Sequence, residues 1–503
     1  MGCCTWDVGE AENPDIRGYL LNNVGRGLLF ISQLFLFNAM LSFANDAAGC
    51  TTGGTGCEDD DDDDAVAFVN GTAIFGGDDD DDDACGRILG LKPVTLVVQV
   101  MALGSLVSAT FMPVVGSVVD HSPHRRRLGI AGLVVAWLCS LAQTGIAPAS
   151  WLFLLLLQGS VASAAYLTNV VCAMAYMPEL TDDLDGHMQR INAKARVLEL
   201  ASMLVFMSLV ATVEGSDSVG VRDTARFAQA LSCLVGGPIA LASWRYLTPR
   251  PTAHAVPEGA SLLTAGFLKV RETAAMLAAD FPQLYRFLLA FAVMEAGTSS
   301  IIGLVVVYVS QQLCLEVGPV LTLAILFTIP GALLSRKLAA GGRAKEALFG
   351  NCLSFAVLIA AIPACLYDNS HAPLVPLFSA TLGLAVGFMY PAQRNVVAVL
   401  IPGGLEGRVM GIYQFASISL GWAPPLIFGL VYEATGSMRM AIVTPAFFHG
   451  AAAVFLQWGV DMTKGGDRVT ATLHKRRRST SGGDLVGKNR AQVEPVLSDK
   501  EAT

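Results

Sequence analysis

The feature that most constrains this chain is a succession of apolar runs, each long enough to cross the ~30 Å hydrocarbon core of a bilayer at about 1.5 Å per residue. They lie near 27–48, 94–119, 128–146, 150–176, 197–213 and 227–247, then 284–310, 317–335, 347–367, 374–400, 409–432 and 438–460. Within lipid, backbone polar groups must be satisfied internally, so runs of this length imply helices. The expected fold is an all-α integral membrane protein of twelve transmembrane helices in two six-helix bundles. Composition agrees, because only 15% of the 503 residues are charged against roughly 25% in soluble domains.

The runs divide the chain into an N-terminal tail (1–26), a first bundle (27–247), a polar linker (248–283), a second bundle (284–460) and a basic, Ser- and Gly-rich tail (461–503) expected to be disordered. Cytoplasmic loops retain Lys and Arg. If both termini are cytoplasmic, the great majority of the 33 basic residues fall on that side, among them Arg125 to Arg127, Lys194, Arg196, Arg336, Lys337 and Lys475 to Arg478. Residues 49–92 then lie on the far side, where the sequon Asn70-Gly71-Thr72 is a glycosylation acceptor. The same loop carries the aspartate runs 59–64 and 78–83, read as a solvated acidic loop or as a weak collector of divalent cations. Cys50, Cys57 and Cys85 share it and allow one disulfide if that side is oxidising, whereas Cys139, Cys172, Cys233 and Cys352 sit in apolar runs as small hydrophobes. Met1-Gly2-Cys3-Cys4 suggests acylation, but Trp6 stands where the myristoylation pattern wants Ser or Thr.

Ionisable groups inside spans need a reason to be there, since each costs about 2.5–3.5 kcal/mol or more. Glu295 lies about 14 Å along its helix from Arg286, near the depth at which transporters bind substrate and coupling ions. It is read as a proton carrier or as the partner of a substrate ammonium, against a protonated acid that makes one interhelical hydrogen bond. Arg394 lies about 9 Å short of Leu400; it either snorkels to the surface or clamps a carboxylate. Asn38, Tyr166, Asn169, Gln393, Tyr413 and Gln414 are the further polar candidates, weighed against interhelical glue worth about 0.6 kcal/mol each. Asp46 belongs to the interface.

The loop Gly116-Ser117-Val118-Val119-Asp120-His121-Ser122-Pro123-His124-Arg125-Arg126-Arg127 is similar to the loop motif of the major facilitator superfamily. That resemblance implies a gating latch made of Gly116 for close helix approach, Asp120 at a neighbouring helix end, and Arg125 and Arg126. His121 and Pro123 depart from the pattern, and Ala340 replaces the aspartate expected in the second such loop. Arg394, Leu400-Ile401-Pro402, Gly407-Arg408, Gly411-Ile412-Tyr413 and Pro425-Leu426-Ile427-Phe428-Gly429-Leu430 follow one another in a series that resembles the vacuole effluxer family of this superfamily. Arg286 to Phe291 and Met177-Pro178-Glu179-Leu180 look like further family segments, while Asn23 stands where the family has an acid and Glu295-Ala296 where it has Asn-Asp.

The resemblance implies alternating-access transport of a small polar solute, such as an amino acid, across a vacuolar, lysosomal-type or plasma membrane. The partners are then the bilayer, the solute and protons, with no cofactor, resident metal or nucleic acid. Neither a nucleotide-binding loop nor a hydrolase elbow occurs in the sequence, which argues against an enzyme or an ATP-driven pump. Two rivals stand beside this reading: a transporter-derived sensor that moves nothing, and a divalent-cation transporter fed by the aspartate runs.

Overall fold

The structure is a computed structural model that describes residues 13–50, 68–69, 72–73, 86–180, 187–215, 219–250, 261–338, 343–367, 369–402 and 405–468. Apart from the antiparallel pair Phe68–Val69 and Thr72–Ala73 and one isolated bridge, the regular structure is helical. In the first half, α1 (Pro14–Ala47), α2 (Pro93–His121), α3 (Arg125–Gln143), α4 (Trp151–Met174), α5 (His187–Glu214) and α6 (Val221–Tyr246) form one bundle. A separate helix, α7 (Leu262–Asp280), precedes the second bundle. That bundle comprises α8 (Pro282–Gln311), α9 (Val317–Leu338), α10 (Ala344–Cys365), α11 (Val375–Leu400), α12 (Glu406–Ser419) with α13 (Ala423–Thr435), and α14 (Met438–Ala441) with α15 (Thr444–Gly459). Eleven helical stretches among the described residues are long and apolar enough to span a membrane. The helix α3, which opens on three arginines, takes the remaining place between α2 and α4.

Local chemistry explains where the helices begin. Pro14, Pro93 and Pro282 occupy first-turn positions, where a missing N–H costs nothing, and the Asn13 side chain caps α1 by accepting the Asp15 N–H. These signals move one boundary. The first helix starts at Pro14, so residues 14–26, expected to be tail, belong to the bundle. The linker likewise carries α7, entered through a capping box between Ser261 and Thr264.

With lipid as solvent, helix association depends on close packing more than on apolar burial. Small residues supply it between α9 and α11: a Cβ on Gly387 would lie 2.0 Å from the Thr328 carbonyl oxygen, so only hydrogen fits. Gly116, expected to allow such an approach, has nothing within 4 Å of the position a Cβ would take. Asn169 spends its amide on packing too, donating to the Gly129 carbonyl at 3.1 Å to tie α4 to α3. Cys139, Cys172, Cys233 and Cys352 are buried free thiols, as their apolar settings implied.

The two ends of the molecule differ. The end that carries Pro14 and α7 is here called the terminal face. On the opposite face the bundles bond to each other directly. Asn45 donates to Gln311 at 2.7 Å, Glu433 takes Arg87 at 2.5 Å and the Lys92 N–H at 3.2 Å, and Glu214 accepts the Gly318 N–H at 2.8 Å. Asp46 pairs with Arg222 at the same end. Cys50 and Cys314, at the opposite-face ends of α1 and α8, are each disulfide-bonded; the expectation was one disulfide among Cys50, Cys57 and Cys85 with the pair left open, and Cys314 lies outside the loop that suggested it. Cys57, Cys85, the Asn70 sequon, both aspartate runs, Ala340, residues 1–12 and residues 469–503 lie outside the described residues.

The α9–α11 contact yields a paired prediction. Gly387→Ala forces the α9 and α11 backbones apart and should cost about 1–3 kcal/mol, read as a lower unfolding midpoint in detergent, while Gly116→Ala should leave the midpoint unchanged. Equal midpoints for these variants would contradict the packing described here.

Candidate functional site

The polar centre of the protein is built from both bundles. In α1, Arg26 is 6% exposed and donates to Asn23 Oδ1 at 2.6 Å and to Glu199 Oε1 at 3.3 Å. Glu199, on α5, takes Arg196 from one turn earlier at 2.8 Å on its other oxygen. One carboxylate thus serves two guanidiniums. Asn23, which stands where the family resemblance expects an acid, holds Arg26 as a neutral acceptor, and Glu199 supplies the charge.

Arg196 also faces the second bundle. Its guanidinium lies 5.2 Å from the centre of the Tyr390 ring on α11, while its side chain keeps 46% of its surface exposed. Since the guanidinium stacks toward the other bundle, that exposure belongs to the space between bundles and not to lipid. On the far side of this space, Glu295 in α8 is buried and accepts an N–H from the Gln393 amide at 3.2 Å. Both Arg196 and Arg394 lie within electrostatic reach of the Glu295 carboxylate. Arg394 is exposed, and Tyr19, Tyr390 and Tyr413 all feel its charge. Tyr413 stacks on Phe291 at 4.1 Å, and Tyr166 stacks on Phe30 at 6.1 Å within reach of Arg26 and Arg196.

Five of the eight residues singled out from the sequence therefore converge: Glu295, Arg394, Tyr166, Gln393 and Tyr413. Three do not. Asn169 ties α4 to α3. Asn38 is buried about 18 Å further along α1 than Arg26, toward the opposite face. Gln414 donates to Ser417 one turn on in its own helix at 3.4 Å. The sequence reading misses Arg26, Arg196, Glu199, Tyr390 and Tyr19. Arg26 and Arg196 fall outside the expected spans, in the tail and a loop. A usable signal was present in Arg196 and Glu199, an opposite-charge pair at i,i+3 that straddles the start of an apolar run.

The latch residues diverge as well. Arg125 grips Glu179 with both nitrogens, at 3.0 and 2.7 Å, and Arg126 donates to the Trp244 carbonyl at 2.7 Å, so both brace the first bundle internally. Among the described residues the partner of Asp120 is Lys269 of α7, at 2.6 Å, and not a helix end of the second bundle.

The central arrangement brings cationic, carboxyl, amide and phenolic groups from two rigid halves to one gap, which suits reversible binding of a small polar molecule. Among the described residues no cluster of His, Cys, Asp and Glu is arranged to hold a metal ion. The family described as "Vacuole effluxer Atg22 like" matches residues 13–197 and 188–469. No curated protein matches significantly. Among solved structures, the chain is similar to the human organic anion transporter MFSD10 (15% identity, 88% of this chain and 99% of the other, TM-score 0.57). It is also similar to a D-xylose-proton symporter (13%, 89% and 98%, TM-score 0.59) and to the nucleoside transporter NupG (11%, 88% and 99%, TM-score 0.55). At these identities the likeness carries the fold alone, that of the major facilitator transporters.

The shared carboxylate gives a stability prediction. Glu199→Gln leaves Arg26 buried without a counter-charge and should cost about 3–5 kcal/mol, seen as a large fall in unfolding midpoint. Arg394→Gln removes an exposed group and should leave the midpoint within error. If the Glu199 variant is as stable as the parent, the triad does not hold the bundle.

Proposed function

The chain belongs to the Atg22-like vacuole effluxer family, a multi-pass membrane transporter of the major facilitator type and not an enzyme, and from that membership we propose that it carries a small zwitterionic metabolite, an amino acid in the first instance, by alternating access. The observation that carries this reading is that Glu295 and Arg394, on neighbouring helices of the second bundle, lie within electrostatic reach of each other beside the gap. A carboxylate suits the guanidinium fork of Arg394, and an ammonium suits Glu295, which has Gln393 beside it to orient its oxygens. Arg196 presents a second cationic edge from the first bundle. A solute held by Glu295 and Arg394 on the second bundle that also reaches Arg196 on the first draws the bundles together, and that is how binding energy becomes rocking about a central site.

Proton coupling is proposed at the same carboxyl. Glu295 is buried, and its hydrogen-bond partner is an amide, so a proton and a substrate ammonium compete for one group. Both termini are assigned to the cytoplasm from the Lys and Arg bias, and the family name points to a vacuolar-type membrane. Disulfides at Cys50 and Cys314 support an oxidising compartment beyond the opposite face.

Counterflow in proteoliposomes with a panel of amino acids tests the transport reading. Exchange of at least one amino acid is expected, with loss of a factor of ten or more in Arg394→Gln; binding without exchange would mark a sensor instead. For coupling, Glu295→Gln should flatten the dependence of uptake on pH, and an unaltered pH profile would remove the proton from the scheme. Glycosylation at Asn70 together with cytosolic labelling of the 475–478 cluster checks orientation, since both on one side would overturn it.

A further inference from the structure

The linker helix α7 lies between the two bundles at the terminal face and touches both. Toward the first bundle, Lys269 Nζ pairs with Asp120 at 2.6 Å, each side chain about one-third exposed. One turn earlier the backbones nearly meet, for a Cβ on Gly266 would fall 1.8 Å from the Pro113 carbonyl oxygen and 3.2 Å from Ser117 Cβ. Toward the second bundle, Arg408 Nε donates to Thr273 Oγ1 at 2.8 Å, and Leu277 is wholly buried in a core with Leu284, Phe287 and Leu400. Ala265, Gly266, Lys269, Thr273 and Leu277 follow one another at three- and four-residue spacing along the inner side of α7. Exposed Arg271 and Glu272 lie off that side.

The two faces are therefore joined in different ways. Opposite to α7, the bundles bond directly through Asn45 and Gln311, Lys92 and Glu433, and Glu214 and Gly318. At the terminal face, the described polar contacts that reach from one bundle toward the other pass through α7. Asp120 stands at the end of α2 and Arg408 at the start of α12. Both are already engaged, with α7 between them.

We propose that α7 is a third gating element, a strap that fills the space between the ends of α2 and α12 and holds the terminal face open until Lys269 releases Asp120. Closure then needs two events: the bundles rock, and α7 slides from between Asp120 and Arg408. An ion pair about one-third exposed on each side contributes under about 1 kcal/mol, so its loss alone should change the ratio of open to closed forms by up to about fivefold. That is small enough for a substrate to overcome and large enough to measure.

The inference rests on the alternating-access reading, and its test reads conformation without substrate, so a protein that fails to transport still answers it. Spin labels at Arg127→Cys and Glu346→Cys in the full chain, reconstituted in nanodiscs, report the distance between bundles at the terminal face. Lys269→Ala should raise the short-distance population by up to about fivefold, as should Gly266→Leu, which displaces α7 without altering charge. The exchange Asp120→Lys with Lys269→Asp should restore the parental distribution, and Arg271→Ala should leave it unchanged. A Lys269→Ala distribution identical to the parent or shifted to longer distances overturns the strap, and so does a charge exchange that behaves like the single variant.

Discussion

Charge inside a bilayer is tolerated only where protein or water replaces lipid around it, and the interior of this protein is organised by that constraint. Arg26 lies buried on a membrane-spanning helix, a position that would be untenable without a counter-ion. Glu199 supplies one from α5 and on its other oxygen also takes Arg196, so α1 and α5 are fixed to each other at the depth of the site. The cost of burying the triad is met by complete engagement of the carboxylate, both of whose oxygens are used. With those charges paired, the positive character left over in the gap belongs to the outward edge of Arg196 and to Arg394. On the proposed function, that residue of charge is what a solute carboxylate would meet, and Glu295 is what its ammonium would meet.

Much of this is legible in the sequence, and the omissions have one physical cause. Spans are recognised by apolar content, and apolar content falls wherever a buried charge sits near a helix end. Arg26 and Arg196 each stand just before a run, so the very residues that build the charged centre read as tail and loop. The helix start at Pro14 is written in another language, proline at the first turn with Asn13 before it, which capping rules read and hydropathy does not. Glu295, Arg394, Gln393 and Tyr413 are visible because each stands well inside an apolar run. Asn169 and Gln414 stand inside runs as well, but which way a polar side chain points depends on helix rotation. Rotation is set by contacts such as Gly129 beneath Asn169, on a different span from the one whose local pattern is being read.

The latch motif shows the same limit from a different side. Its residue types do make a basic loop with a helix-end aspartate, yet the partner of Asp120 is assigned there by resemblance. The departures at His121 and Pro123 fit a loop whose arginines serve other ends. Arg125 and Arg126 are taken up within the first bundle by Glu179 and the Trp244 carbonyl, which leaves Asp120 to find its cation elsewhere. It finds Lys269, on a segment expected to be a mere connector. The linker became structural because its inner side carries small residues that let it approach α2 at backbone distance, and Gly266 is the position where that approach is tightest.

Direct bonds on one face and mediated bonds on the other also bear on direction of movement. Contacts such as Asn45 with Gln311 and Glu433 with the Lys92 N–H are short, local and made between the helices that would separate on opening. Opening that face breaks several at once, which makes the step cooperative. Closing the terminal face forms new contacts only after α7 has given up its own, so the two half-cycles meet barriers of different origin. An asymmetry of this kind is what a transporter needs if substrate binding is to decide when the bundles rock, because a carrier equally free to rock when empty would dissipate the gradient that drives it.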